Sequence, residues 1–72
     1  MNEPNTGIQN EVRERIDAMN LPDAQKHTLE TFVIQGWKIM GRGANNSVDI
    51  WRRTEKGYED AYIREDGTSR TA

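Results

Sequence analysis

The apolar residues of this chain change their spacing at Gly36, and that change decides what it can fold into. Before Gly36 they recur every three or four residues, the period of a helix with one buried stripe; after it they alternate, the period of a half-buried strand. A chain patterned this way is two-layered, with helices first and an antiparallel sheet second, which is the α+β class.

In the helical half, Ile8, Val12, Ile16 and Met19 fall on one stripe, and Glu11, Arg13, Glu14, Arg15 and Asp17 fill the solvated side. Thr6, with Gln9 three residues later, has the pattern of a capping box, so the first helix is expected over about residues 6–19. Residues 1–5 read as a flexible lead-in to a single small domain, 6–72. Asn20-Leu21-Pro22-Asp23 interrupts and restarts the helix, because Pro22 disfavours helical geometry at Leu21 and is tolerated in a first turn, while Asn20 or Asp23 can cap. The second helix is expected over about 21–35, with Gly36 as a left-handed cap. Its inner side holds Gln25, Leu29, Phe32 and Val33; His27, Thr31 and Ile34 look the other way.

The alternating half predicts strands at 37–42, 47–53 and 58–64, and a short fourth at 68–71. Turns fall at Ala44-Asn45-Asn46, at Thr54-Glu55-Lys56-Gly57 and at Glu65-Asp66-Gly67. The expected architecture is thus two N-terminal helices on a three- to four-stranded antiparallel meander.

Register decides which side chains a partner meets. Placing Arg53 opposite Tyr58 pairs Ile50 with Ala61, Val48 with Ile63 and Arg52 with Glu59, which gathers the small aliphatic residues on the helix-facing side. Trp37 alternates with Ile39 and closes the core. The outer side then carries Lys38, Met40, Arg42, Asp49, Trp51, Arg53, Tyr58, Asp60, Tyr62 and Arg64, with four cations against two anions.

At 72 residues there is chain for one domain, and domains this small bury only about 60% of their unfolded surface. The sequence has no cysteine, hence neither a disulfide staple nor a thiolate zinc site, which fits a reducing, cytoplasmic setting. Unstapled small domains often gain burial by association, so a homo-oligomer is expected. No apolar run exceeds three residues, as in Phe32-Val33-Ile34, so no membrane span is expected.

Catalytic and metal chemistry find little support. His27 is the only histidine, and no strand-turn-helix nucleophile motif surrounds Ser47 or Ser69. One histidine and scattered carboxylates give no ligand spacing for zinc or calcium. Gly41-Arg42-Gly43-Ala44-Asn45-Asn46 lacks the third glycine, the Lys-Ser/Thr pair and the following helix of phosphate-binding loops, so it reads as a hairpin tip. No cofactor is expected.

Charge separates the binding classes. Residues 37–53 hold four Lys or Arg against one Asp, but residues 1–36 hold three against six acids and 54–72 three against five. An overall pI near 5.3 opposes duplex nucleic-acid binding. Trp, Tyr, Met and Arg are the residue types enriched in protein interfaces, and the outer side carries all four. The sequence therefore points to a non-enzymatic intracellular protein-binding module, an inhibitor or regulator that self-associates. Its expected contact residues are Trp51, Arg53, Arg42, Tyr62, Lys38, Tyr58 and Arg64. Accessory proteins of phages and mobile elements are one setting for such chains, on grounds of size alone. The alternative is a binder of single-stranded nucleic acid, a nucleotide or a small phosphorylated ligand through the same aromatic and cationic residues.

Overall fold

The computed structural model describes residues 8–71. Two helices, α1 (Asn10–Ala18) and α2 (Asp23–Ile34), precede four strands: β1 (Lys38–Arg42), β2 (Val48–Thr54), β3 (Gly57–Ile63) and β4 (Ser69–Thr71). A 3-10 turn, Ala44–Asn46, joins β1 to β2. The strands form one antiparallel sheet in the order β1-β2-β3-β4, so the expected α+β meander is the fold, with the fourth strand present.

Helix ends differ from expectation by a few residues. Gln9 occupies the α1 cap position without a side-chain bond, and α1 starts at Asn10; Thr6 and the lead-in 1–5 lie outside the described residues. Asn20, at φ +55°, closes α1 in the left-handed conformation that asparagine tolerates. Pro22 sits at the cap position of α2, one step ahead of the helix, because its extended ψ of 150° cannot continue a helical turn. Gly36, at φ +102°, ends α2 as expected, and Trp37 N–H then donates to Phe32 O.

One side of the sheet and the inner stripes of both helices make the core: Ile16, Leu29, Trp37, Ile39, Val48, Ile50, Ala61 and Ile63. Each fully buried aliphatic side chain contributes about 1.5–3 kcal/mol by leaving water. Trp37 meets Phe32 edge to face at 5.4 Å and seals the end of α2 against β1. Ile34, on the outer side of α2, is 55% exposed.

Polar ties fix the helices over the sheet. Gln25 lies fully buried on the inner stripe of α2, and its Nε2 donates to Asn46 O at 2.9 Å and to Ile63 O at 3.0 Å. Thr28 Oγ1 donates to Gly67 O at 2.8 Å, which clamps the β3–β4 turn to the same helix. Arg13 on α1 pairs with Glu30 on α2 at 3.2 Å. The result is a slab 16 Å across its shortest dimension.

Candidate functional site

Both helices lie on one side of the sheet, and among the described residues no element packs on the other. That bare side takes its composition from the register. In β2 and β3, Asp49 faces Tyr62, Trp51 faces Asp60, and Arg53 faces Tyr58, while Val48–Ile63, Ile50–Ala61 and Arg52–Glu59 fill the alternate, helix-facing positions. The two-residue connection Glu55-Lys56, closed by Gly57 at φ +128°, holds this register, which is the one the aliphatic grouping calls for. Lys38 of β1 pairs with Trp51 and joins the bare side.

Arg42 does not. The β1–β2 ladder slips between Ile39 and Gly41, so that Gly41 faces Asp49 and Arg42 faces the fully buried Val48. Met40 is the extra residue of this β-bulge, and a one-residue insertion turns everything after it to the opposite side. Arg42 therefore leaves the outer set and donates through Nη2 to Met19 O at the end of α1. Its place is taken by Arg70, which sequence reasoning did not name: Arg70 pairs with Tyr62 across β3 and β4 and so shares its side. The bare face holds four cations (Lys38, Arg53, Arg64, Arg70) and two anions (Asp49, Asp60), and it keeps the expected charge of +2 with one member exchanged. Gly41 inside a strand is the sequence signal for the bulge, since an isolated strand glycine often marks one.

Ring contacts organise the aromatics. Trp51 and Tyr58 lie diagonally across β2 and β3 with centroids 5.5 Å apart and planes inclined by 59°. Tyr58 is 71% exposed and Met40 56%, whereas Trp51 and Tyr62 are half-buried. The Arg64 guanidinium carbon is 5.7 Å from the Tyr62 ring centre, within cation–π range.

Two depressions border this face. One, of about 670 Å³, is lined by Ser47, Asp49, Tyr62, Arg64, Glu65 and Asp66 among others. Asp66 Oδ1 accepts bonds from Thr68 Oγ1 at 2.7 Å and Thr68 N at 3.0 Å, and these hold its carboxyl below the ordinary value of 3.8. The Asp49 carboxylate rests against Gly43; a Cβ there would come within 2.6 Å of Asp49 Oδ1, so glycine gives the side chain its room. The other depression, about 420 Å³, opens beside β1 between Val12, Val33, Trp37 and Trp51.

The sheet edges offer less. The bulge interrupts β1, Lys38 and Arg42 guard it, and β4 has only three residues. Short, charged or bulged edges resist strand addition, which leaves the bare face as the larger exposed surface. His27 is exposed on the far side of α2, where its carbonyl accepts a bond from Thr31 Oγ1 at 3.1 Å. Among the described residues, no group of three or more His, Cys, Asp or Glu side chains is placed to hold a metal ion, and no helix is long and apolar enough to cross a membrane.

Comparison with family models, with curated proteins and with solved structures gives no match.

Proposed function

We propose that this chain is a non-enzymatic protein-binding module, an intracellular inhibitor or regulator, and that its contact surface is the bare face of the sheet. One observation carries the reading: the Trp51–Tyr58 pair lies on a surface that no element covers among the described residues, ringed by Lys38, Arg53, Arg64 and Arg70. Tryptophan, tyrosine and arginine supply most energetic anchors of protein interfaces, and clustering raises their worth. Asp49 and Asp60 on the same face favour a polypeptide, which can offer cations to them, over a phosphate chain, which cannot.

The double variant Trp51→Ala/Arg53→Ala tests this. It is expected to lose binding to its protein partner, or to itself, while its circular-dichroism spectrum stays that of the folded chain. Full association by the folded double variant overturns the reading.

A second reading, single-stranded nucleic acid or a nucleotide on the same face, is favoured by the interleaving of Trp51, Tyr58 and Tyr62 with cations. It predicts an affinity for oligothymidylate that falls steeply with salt, whereas an interface anchored by aromatic residues responds mildly.

A further inference from the structure

We infer that the occupant of the bare face is a second copy of this chain, docked face to face about a two-fold axis along the Trp51–Tyr58 diagonal. This rests on the reading of that face as a protein contact. The register fixes what surrounds Trp51: Lys38 beside it on β1, Asp60 beside it on β3, and Asp49 and Arg53 two residues before and after it on β2. Lys38 and Arg53 thus flank one side of the diagonal, and Asp49 and Asp60 flank the other. The diagonal itself holds the Trp51–Tyr58 ring pair, Tyr58 being exposed and Trp51 half-buried.

Rotation about an axis along this diagonal lays each flank over the opposite flank of the other copy. Lys38 then meets the partner's Asp49, and Arg53 meets the partner's Asp60, each contact occurring twice. Strands lie about 4.8 Å apart and residues two apart along a strand about 6.7 Å, so the four charges form a nearly square cross. A near-right-angle crossing superposes such a cross within side-chain reach, and orthogonal stacking is one of the two ways sheets pack.

Other two-fold axes through Trp51 do worse. An axis along the strands sets Asp49 against its own copy and Arg53 against its own. An axis across the strands does the same to Lys38 and Asp60. The opposite diagonal opposes Lys38 to Arg53 and Asp49 to Asp60. Only the Trp51–Tyr58 diagonal pairs all four charges around Trp51, which is the self-complementarity an isologous interface requires; Arg64 and Arg70, at the far end of the face, fall outside this cross. The strands hold 5, 7, 7 and 3 residues, which makes roughly 350 Å² in projection, below the ~800 Å² per partner of a standard interface, so a weak, reversible dimer is expected.

Sedimentation analysis from low micromolar to about millimolar concentration reads the assembly. The wild-type chain should pass from monomer to dimer. Arg53→Asp and Asp60→Arg should each weaken dimerisation by at least about tenfold, because each sets like charges in contact. Mixed together, those two single variants should form a heterodimer, and R53D/D60R in one chain should dimerise again; circular dichroism verifies that all are folded. A wild-type chain that stays monomeric throughout overturns the inference, as does a mixture that associates no better than its components. If the wild-type chain is monomeric yet Trp51→Ala/Arg53→Ala abolishes binding to a different protein, self-pairing falls and the protein-binding reading stands. A monomer that takes up oligothymidylate with a steep salt dependence overturns both.

Discussion

The guanidinium carbon of Arg52 lies 4.7 Å from the ring centre of Trp37, so the core's tryptophan is roofed by a cation from the adjacent strand. The same guanidinium donates through Nε to Glu59 Oε1 at 2.8 Å. Ring, cation and carboxylate form a layered rim where the core meets water. Arg52→Ala should cost about 1–2 kcal/mol, combining a partly exposed cation–π contact, a rim ion pair and lost packing of the stem. Glu59→Gln should cost less, under about 1 kcal/mol, since it removes only the carboxylate charge. Urea unfolding followed by tryptophan fluorescence measures both.

Gln25 is the polar centre of the core. Its two donor hydrogens serve Asn46 O and Ile63 O, while Oε1 has no hydrogen-bond partner among the described residues. Gln25→Leu should destabilise the fold by about 2–4 kcal/mol, because two carbonyls lose their donor. Gln25→Glu sets an acceptor-only carboxylate against the same carbonyls, which raises its pKa in the folded state. A group with a raised folded pKa favours folding in its protonated form, so this variant should gain stability as pH falls towards 4, where wild type does not. Denaturation midpoints across that range give the comparison.

Gly67 and Gly57 both have positive φ, but only Gly67 is crowded. A Cβ at Gly67 would lie 2.9 Å from Ala24 O and 3.1 Å from Thr28 Oγ1, whereas at Gly57 nothing comes within 4 Å. Gly57→Ala should cost about 1 kcal/mol of backbone strain; Gly67→Ala should cost about 1–2 kcal/mol more by prising the β3–β4 turn from α2. Faster hydrogen exchange at the β4 amides, specific to Gly67→Ala, is the accompanying sign.

Arg42 caps a helix and stays off the proposed contact face. Arg42→Ala should lower stability by roughly 0.5–1 kcal/mol through the loss of a cation at the α1 C-terminus, and should leave association unaltered. Thermal melts and sedimentation of one sample separate these effects.

The pair formed by Lys26 Nζ and Asp17 Oδ1, 2.8 Å apart, joins α1 to α2. The hydrogen bond from Lys26 is the main cause that lowers the Asp17 carboxyl from 3.8, and the same bond raises Lys26 above 10.5. The lowered carboxyl contributes stability above its unfolded pKa, lost as pH falls through the folded one. The raised amine contributes stability below 10.5, lost as pH rises through its folded value. Asp17→Asn should therefore flatten the stability profile at both extremes and leave the mid-range slope alone. Melting temperatures between pH 2 and 12 on wild type and variant give the two limbs.

The β2–β3 hairpin was legible because two independent constraints agree on it. Thr54-Glu55-Lys56-Gly57 places the turn, and the grouping of Val48, Ile50, Ala61 and Ile63 on one side selects a two-residue loop over a three-residue one that would set Thr54 opposite Tyr58. The β1–β2 pairing lacked a second constraint: Ile39 alone anchors β1 to the core, so alternation carried Arg42 to the wrong side of a bulge that Gly41 signals. Gln25 stood on the correct helix stripe, but its two carbonyl partners are 21 and 38 residues away and no local pattern encodes them. Arg70 stayed unnoticed because β4 is three exposed residues without an apolar pattern.

Odd positions of β2 and even positions of β3 answer to whatever lies outside the molecule, and their neighbours answer to the helices. With the bare face as the proposed contact surface, specificity and stability are written on alternate letters of the same two strands. Residues 49, 51, 53, 58, 60 and 62 can drift towards a new target while the hydrophobic layer underneath remains as it is.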